Sequence, residues 1–282
     1  MPRSHEISVG MQDSERSAAA SAHTRGKLLH DYIFQVRSVI YFWGTGFLFS
    51  IYIACKSLLK GGSRKGGEER SMVIGYFIKF RDWAFRTKQL ELCGDDLNAL
   101  RSLKGSIVIA NHPCLLDAVI LAIYLPEACC ITNSKLFRNP FFGGAVRAAG
   151  FIRNDTGIGL VKASLDHLKA GDNMLIFPEG TRTDPGQILN SFKKGFALTA
   201  VRSHAPVHCV FIDVNSNYLA KGYSIFSKCP LPLRMHFTFG PVLSAEEGES
   251  ANAFAERVEN IYRDYFGGAK DSRRQTGSDK IS

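Results

Sequence analysis

The stretch ANHPCLLD, residues 110–117, sets a histidine and an aspartate five residues apart around a proline. On one unbroken α-helix that separation turns the second side chain about 140° away from the first, and the two could not cooperate. Residues 106–110, SIVIA, read instead as a buried strand, and Pro113 suits a first helical turn. The spacing therefore predicts a strand, a sharp turn at His112 and a helix beginning near Pro113. Asp117 then lies one turn into that helix, with its carboxylate reaching back to the imidazole. Such a pair is suited to removing a proton from a hydroxyl. An imidazole ordinarily titrates near pH 6.5, and a carboxylate on one ring nitrogen leaves the other for the substrate.

A second stretch, LIFPEGTRTD at residues 175–184, is another apolar run that ends in Pro178, Glu179, Gly180, Thr181 and Arg182. If its strand is parallel to the first, both blocks emerge at one end of the sheet. Lys135 and Arg153 lie between the blocks, and Lys193 and Lys194 follow them. Several cations beside one carboxylate and a His/Asp pair predict a pocket for a phosphate-bearing acceptor, because guanidinium groups bind phosphate with two parallel hydrogen bonds.

Taken together these blocks resemble the glycerolipid acyltransferases, typified by the 1-acylglycerol-3-phosphate acyltransferases. NHPCLLD corresponds to that family's Asn-His-x-x-x-x-Asp block, and FPEGTRT matches its Phe-Pro-Glu-Gly-Thr-Arg block at every position. The resemblance runs from about Leu90 to Val242. It implies transfer of a fatty acyl group from acyl-CoA or acyl-carrier protein to the hydroxyl of a lysophospholipid at a membrane surface. Neither cofactor nor metal is implied. His112 is implied as the base and Asp117 as its partner, with Glu179, Gly180, Thr181 and Arg182 in the acceptor region. Lys135 falls at a basic position the family often carries. Arg153, in GFIRND, stands at a shifted position relative to the family's usual Asp-Arg. A thioester already carries an activated carbonyl, so no covalent acyl-enzyme is expected. The oxyanion needs donors, and the turn at Gly180 is a candidate.

The elements that must position these residues follow from the rest of the chain. Apolar runs at 106–110, 128–132, 173–177, 207–214 and 233–239 alternate with helical stretches near 114–124, 140–149, 157–170 and 192–202, and a last helix covers 251–266. This alternation predicts an α/β fold, a mostly parallel sheet flanked by helices, with its site beyond the strands' carboxyl ends. Before it, residues 39–55, VIYFWGTGFLFSIYIAC, form an uncharged run of 17 residues between Arg37 and Lys56. Its aromatics and basic flanks point to a membrane, across it or in its interface. Residues 71–89 read as a basic amphipathic helix. The expected organisation is a disordered tail at 1–27, a membrane-associating helical region at 28–89, a catalytic domain at 90–266 and a disordered tail at 267–282.

The net charge of +9 favours anionic partners, here the phospholipid surface, the acyl donor and the lysolipid acceptor. Nucleic acid is excluded because no RNP, helix-turn-helix or zinc-finger pattern occurs. Seven cysteines without a CxxC pair read as reduced thiols, so the catalytic domain is expected to face the cytoplasm. Cys114 as a nucleophile, and a metal held by His112, Asp117 and Glu179, are weaker readings. His208, alone on an apolar strand, reads as a core histidine.

Overall fold

The computed structural model describes residues 31–33, 35–59, 66–139, 142–154, 158–227 and 229–275. The expected tail at 1–27, most of the connector at 60–65 and residues 276–282 lie outside them.

Among the described residues fifteen elements follow in chain order, apart from a 3-10 turn at Leu97–Ser102 and a π-helical turn at Ile40–Gly44 that leads into the first helix. They are α1 (Thr45–Leu59), α2 (Gly66–Arg86), β1 (Leu90–Gly94), β2 (Ile107–Ala110), α3 (Leu116–Tyr124), β3 (Ala128–Thr132), α4 (Ser134–Phe137) and α5 (Gly143–Ala148). Then come β4 (Ile152–Arg153), α6 (Ile158–Lys169), β5 (Asn173–Ile176), α7 (Gly195–Ser203), β6 (Val207–Val214), β7 (Leu233–Leu243) and α8 (Ala251–Gln275). The strands form one sheet in the order β1-β7-β6-β2-β5-β3-β4. Every neighbouring pair is parallel except β6 with β7.

Residues of the central strands alternate between two cores. Val108, Ala110 and Leu175 face one that includes α3 and the aromatic side chains of the first two helices. Ile107, Ile109, Met174 and Ile176 face the other, against α7 and α8. Burial on both faces explains why β2 reads as an unbroken apolar run rather than an alternating one.

The chain order places β2 beside β5 and in parallel register, Ile107 opposite Met174 and Ile109 opposite Ile176. Two parallel neighbours lie about 4.8 Å apart, so the segments that leave their carboxyl ends must meet. Those segments are the two sequence blocks.

Two expectations need correction. The helix after His112 begins at Leu116, not near Pro113; residues 113–115 form a bend, and Asp117 is the second helical residue. The bend exists because the Asp117 carboxylate accepts the Cys114 backbone N–H at 3.1 Å and so holds the chain short of helix. The last helix does not stop at Phe266 but runs on through Gly267 and Gly268 to Gln275, so the expected tail at 267–282 is helical over its first nine residues. Its buried side chains Phe254, Val258, Tyr262 and Phe266 fix the helix, and extending a nucleated helix costs little even across glycine. The apolar run at 39–55, expected to meet a membrane, overlaps a helix, Asp31–Ile53, that is long and apolar enough to cross one.

Asn111 closes β2. Its side chain donates to the Ile212 carbonyl and accepts the Ile212 N–H, both at 2.8 Å, so it continues the β2–β6 ladder in place of a backbone. Replacing Asn111 by Leu leaves two buried backbone groups unpaired, and the expected loss is about 2–4 kcal/mol. Denaturant unfolding in detergent measures it; a loss under 1 kcal/mol means the ladder closes without this side chain.

Candidate active site

His112 stands on the turn between β2 and α3, its ring stacked on Phe177 at 4.2 Å between centroids. Nδ1 lies 2.8 Å from Oδ1 of Asp117, whose side chain is fully buried. The ring N–H does not point along the line to that oxygen, so the pair touches without a formed hydrogen bond, and a small turn of the imidazole completes it. Asp117 is itself held by the backbone N–H groups of Cys114 at 3.1 Å and Ala118 at 2.6 Å. The short spacing brings the two side chains together through a bend rather than a helical turn.

Glu179, expected in the acceptor region, belongs to the other block. It is buried at 2% exposure and faces inward. Its Oε1 accepts the His112 backbone N–H at 2.8 Å and the Thr183 hydroxyl at 3.0 Å, and Oε2 accepts the Asn190 N–H at 2.9 Å. Thr183 returns a backbone bond to the His112 carbonyl at 2.8 Å. Burial raises the Glu179 pKa, and the three hydrogen bonds oppose that rise. Glu179 therefore braces the histidine turn and the Pro178–Thr183 turn against each other.

A cavity of about 580 Å³ opens beside this junction. His112, Gly180, Thr181, Arg182 and Lys193 stand at its polar side. Phe42, Trp43, Phe49, Tyr76 and Phe77, all from the N-terminal helices, join Val119 and Ala122 of α3 in its apolar wall. The Nη1 atom of Arg182 donates to the carbonyls of Leu219 at 2.7 Å and Ala220 at 3.1 Å, so Nε and Nη2 are the donors it keeps for a ligand. Gly180 adopts φ +68°, and a Cβ there would come within 2.8 Å of the Lys193 ammonium nitrogen. Glycine is thus required for the turn and for the approach of Lys193.

Other sequence-derived candidates separate from this group. Lys135 and Arg153 are exposed and do not line the cavity; the Arg153 guanidinium sits 6.0 Å from the Phe137 ring, at the β3–β4 edge of the sheet. The Gly180 amide, the candidate oxyanion donor, is already bonded to the Phe177 carbonyl at 2.9 Å. Cys114 is fully buried, and burial, reinforced by the Asp117 charge, pushes its thiol well above the ordinary range, the opposite of what a nucleophile needs. Among the described residues no group of three His, Cys, Asp or Glu side chains is placed to hold a metal ion. His208 is half-buried on β6, and burial lowers its pKa.

Sequence reasoning missed Asn190 and the aromatic wall. Asn190 gives Glu179 a backbone N–H, holds the Arg182 carbonyl at 3.2 Å and receives the Asp184 N–H at 3.2 Å. No local pattern marks it. The aromatic cluster at 41–49 is visible in the sequence, where it reads as membrane-directed or as a buried core helix and not as a cavity wall.

A family profile described as acyltransferase matches residues 94–213. A Helicobacter pylori protein named 1-acyl-sn-glycerol-3-phosphate acyltransferase is 30% identical over 173 residues, 57% of this chain and 70% of that protein. A human protein named 1-acyl-sn-glycerol-3-phosphate acyltransferase beta is 31% identical over 169 residues, 56% of this chain and 59% of its own length. The crystal structure of the 1-acyl-sn-glycerophosphate acyltransferase PlsC from Thermotoga maritima superposes with a TM-score of 0.61 at 22% identity, over 86% of this chain and 95% of that one, which shows the shared fold. The fold is a mostly parallel α/β one. The chain belongs to the acyltransferase family.

If Glu179 braces the histidine turn, Glu179→Gln should lower kcat for acyl transfer at least 10-fold, because an amide NH2 now faces either the His112 or the Asn190 N–H. Steady-state kinetics check it. Unchanged kcat with only the acceptor KM raised would instead put Glu179 in contact with the acceptor.

Proposed function

We propose that this protein transfers a fatty acyl group from a thioester donor, acyl-CoA or acyl-carrier protein, to the hydroxyl of a lysophospholipid such as 1-acylglycerol-3-phosphate. The observation that carries the reading is a His–Asp pair opening onto a cavity whose wall is aromatic and aliphatic and whose polar side holds Arg182 and Lys193. An acyl chain fits the wall, and a phosphate fits the cations.

The chemistry is a single displacement. With Nδ1 turned to Asp117, Nε2 of His112 takes the proton of the acceptor hydroxyl as its oxygen attacks the thioester carbonyl. The C–O bond forms, the tetrahedral oxyanion collapses, the C–S bond breaks, and the thiolate leaves with the proton that the imidazolium returns. Asp117 stabilises the imidazolium in between. No acyl-enzyme arises, which agrees with a buried, high-pKa Cys114. The Asp31–Ile53 helix and the basic α2 attach the protein to the membrane, so the lysolipid reaches the cavity from the bilayer. The catalytic domain then faces the cytoplasm.

His112→Ala should cost about 10²–10⁴-fold in kcat, whereas Cys114→Ser stays near the parent; an acyl group trapped on Cys114 ends the single-displacement scheme.

With Lys135 and Arg153 outside the cavity, phosphate recognition falls to Arg182 and Lys193, and a lipid acceptor of the same chemistry without the phosphate is the second reading. The choice is tested by kcat/KM for a phosphorylated lysolipid and its dephosphorylated counterpart. Arg182→Lys should lose about 10-fold or more on the phosphorylated acceptor alone, since an ammonium does not reproduce the two-pronged contact. Equal losses on both, with the parent preferring the uncharged lipid, establish the second reading.

A further inference from the structure

The segment between β6 and β7, residues 215–232, reaches three parts of the molecule at once. At its inner end the Leu219 carbonyl accepts both the Leu115 backbone N–H at 3.1 Å, from the bend after His112, and the Arg182 guanidinium at 2.7 Å. Leu219 adopts φ +60° to present that carbonyl, a conformation that non-glycine residues rarely take. At its outer end the segment is held by Gln35, on the apolar N-terminal helix. The Gln35 side chain is 3% exposed; its Nε2 donates to the Ser227 carbonyl and, at 3.4 Å, to Ile225, and its Oε1 accepts the Cys229 N–H at 3.0 Å. Tyr218 adds an internal staple, its hydroxyl donating to the Ile225 carbonyl at 3.2 Å. The segment is therefore tied down along its length.

A segment tied in this way would be expected to bury its aromatics, yet Phe226 is 55% exposed and Tyr223 is 43% exposed. Phe226 stands between the two residues whose carbonyls Gln35 holds. One helical turn from Gln35, on the membrane-directed helix, Tyr32 and Ile33 are also exposed, at 42% and 50%. Solvent-facing aromatics on a segment bonded to an apolar helix have the composition of a lipid-interface contact.

We propose that residues 215–232 form a second bilayer contact, with Phe226 and Tyr223 seated in the interfacial region beside the N-terminal helix. The occupant is a phospholipid surface. This rests on the membrane attachment given under Proposed function and extends it to the catalytic domain: the segment that meets the lipid also supplies the carbonyls that hold Arg182.

The test uses the full-length protein with phosphatidylcholine/phosphatidylglycerol vesicles whose acyl chains carry bromine at a shallow position. The chain has two tryptophans, Trp43 and Trp83; both are replaced by Phe, and a single reporter is introduced as Phe226→Trp. Val242→Trp, at an exposed position on β7, is the control. Emission from position 226 should shift to the blue and be quenched by the brominated lipid, while emission from position 242 is not. A second arm needs no tryptophan exchange. Phe226→Ser with Tyr223→Ser should raise the KM for vesicle-borne lysolipid about 10-fold, leave kcat in place, and leave the kinetics on a water-soluble short-chain acceptor unchanged.

Unquenched position 226 in vesicles that bind the protein overturns the second contact and leaves the N-terminal attachment standing. Failure of the parent protein to bind vesicles overturns both. Quenching at position 226, with no acyl transfer to any lysolipid by the parent protein that keeps Trp43, supports the contact and removes the proposed reaction. Equal KM changes on vesicle-borne and soluble acceptors reassign the two aromatics to a structural role.

Discussion

The Glu179 carboxylate accepts the backbone N–H of His112, and through that bond two segments leaving neighbouring strands become one rigid turn. Thr183 and Asn190 complete the brace, and the Thr183 N–H donates to the His112 carbonyl from the other side. A histidine on a free loop would sweep through many orientations; here both its amide and its carbonyl are fixed before its ring is considered. The arrangement requires a buried carboxylate, and burial is costly unless the charge is surrounded by donors. Three donors surround this one.

Asp117 repeats that logic on the side chain. Its two oxygens are occupied by the Cys114 and Ala118 amides, which leaves Oδ1 in contact with the imidazole and the carboxylate without rotational freedom. The ring can therefore settle against a stationary partner when a substrate arrives.

Much of this was legible in the sequence. The strands at 128–132 and 207–214 were bounded to the residue, because long apolar runs between polar turns leave little choice. The pairing of His112 with Asp117 followed from spacing alone. What remained hidden depended on contacts between distant segments. The two-residue strand β4 is too short to carry a pattern, and it exists only because β3 offers it an edge. Nothing local says that Arg153 ends on that edge and away from the cavity, or that Glu179 turns inward. The helix start shifted from Pro113 to Leu116 because a side chain outcompeted the preference of proline. Nor does hydropathy reveal that the aromatic run at 41–49 supplies the wall of the catalytic cavity, since one apolar face satisfies either a lipid or a substrate.

The π-helical turn at Ile40–Gly44 concentrates that last point. Its wider winding takes one residue more than an α-helical turn, and the Tyr76 hydroxyl from α2 donates to the Phe42 carbonyl at 2.5 Å. Phe42, Trp43 and Gly46 then all lie against the cavity. Removing a single residue within 40–44 would leave hydropathy, length and charge almost untouched. The turn would then close as an ordinary α-helical turn, which keeps Gly46 and Phe49 on the cavity face but draws in the bulge that offers the Phe42 carbonyl to Tyr76. Beyond Gly44 the helix has no such slack, and a one-codon deletion between Thr45 and Phe49 would rotate every later position by about 100°.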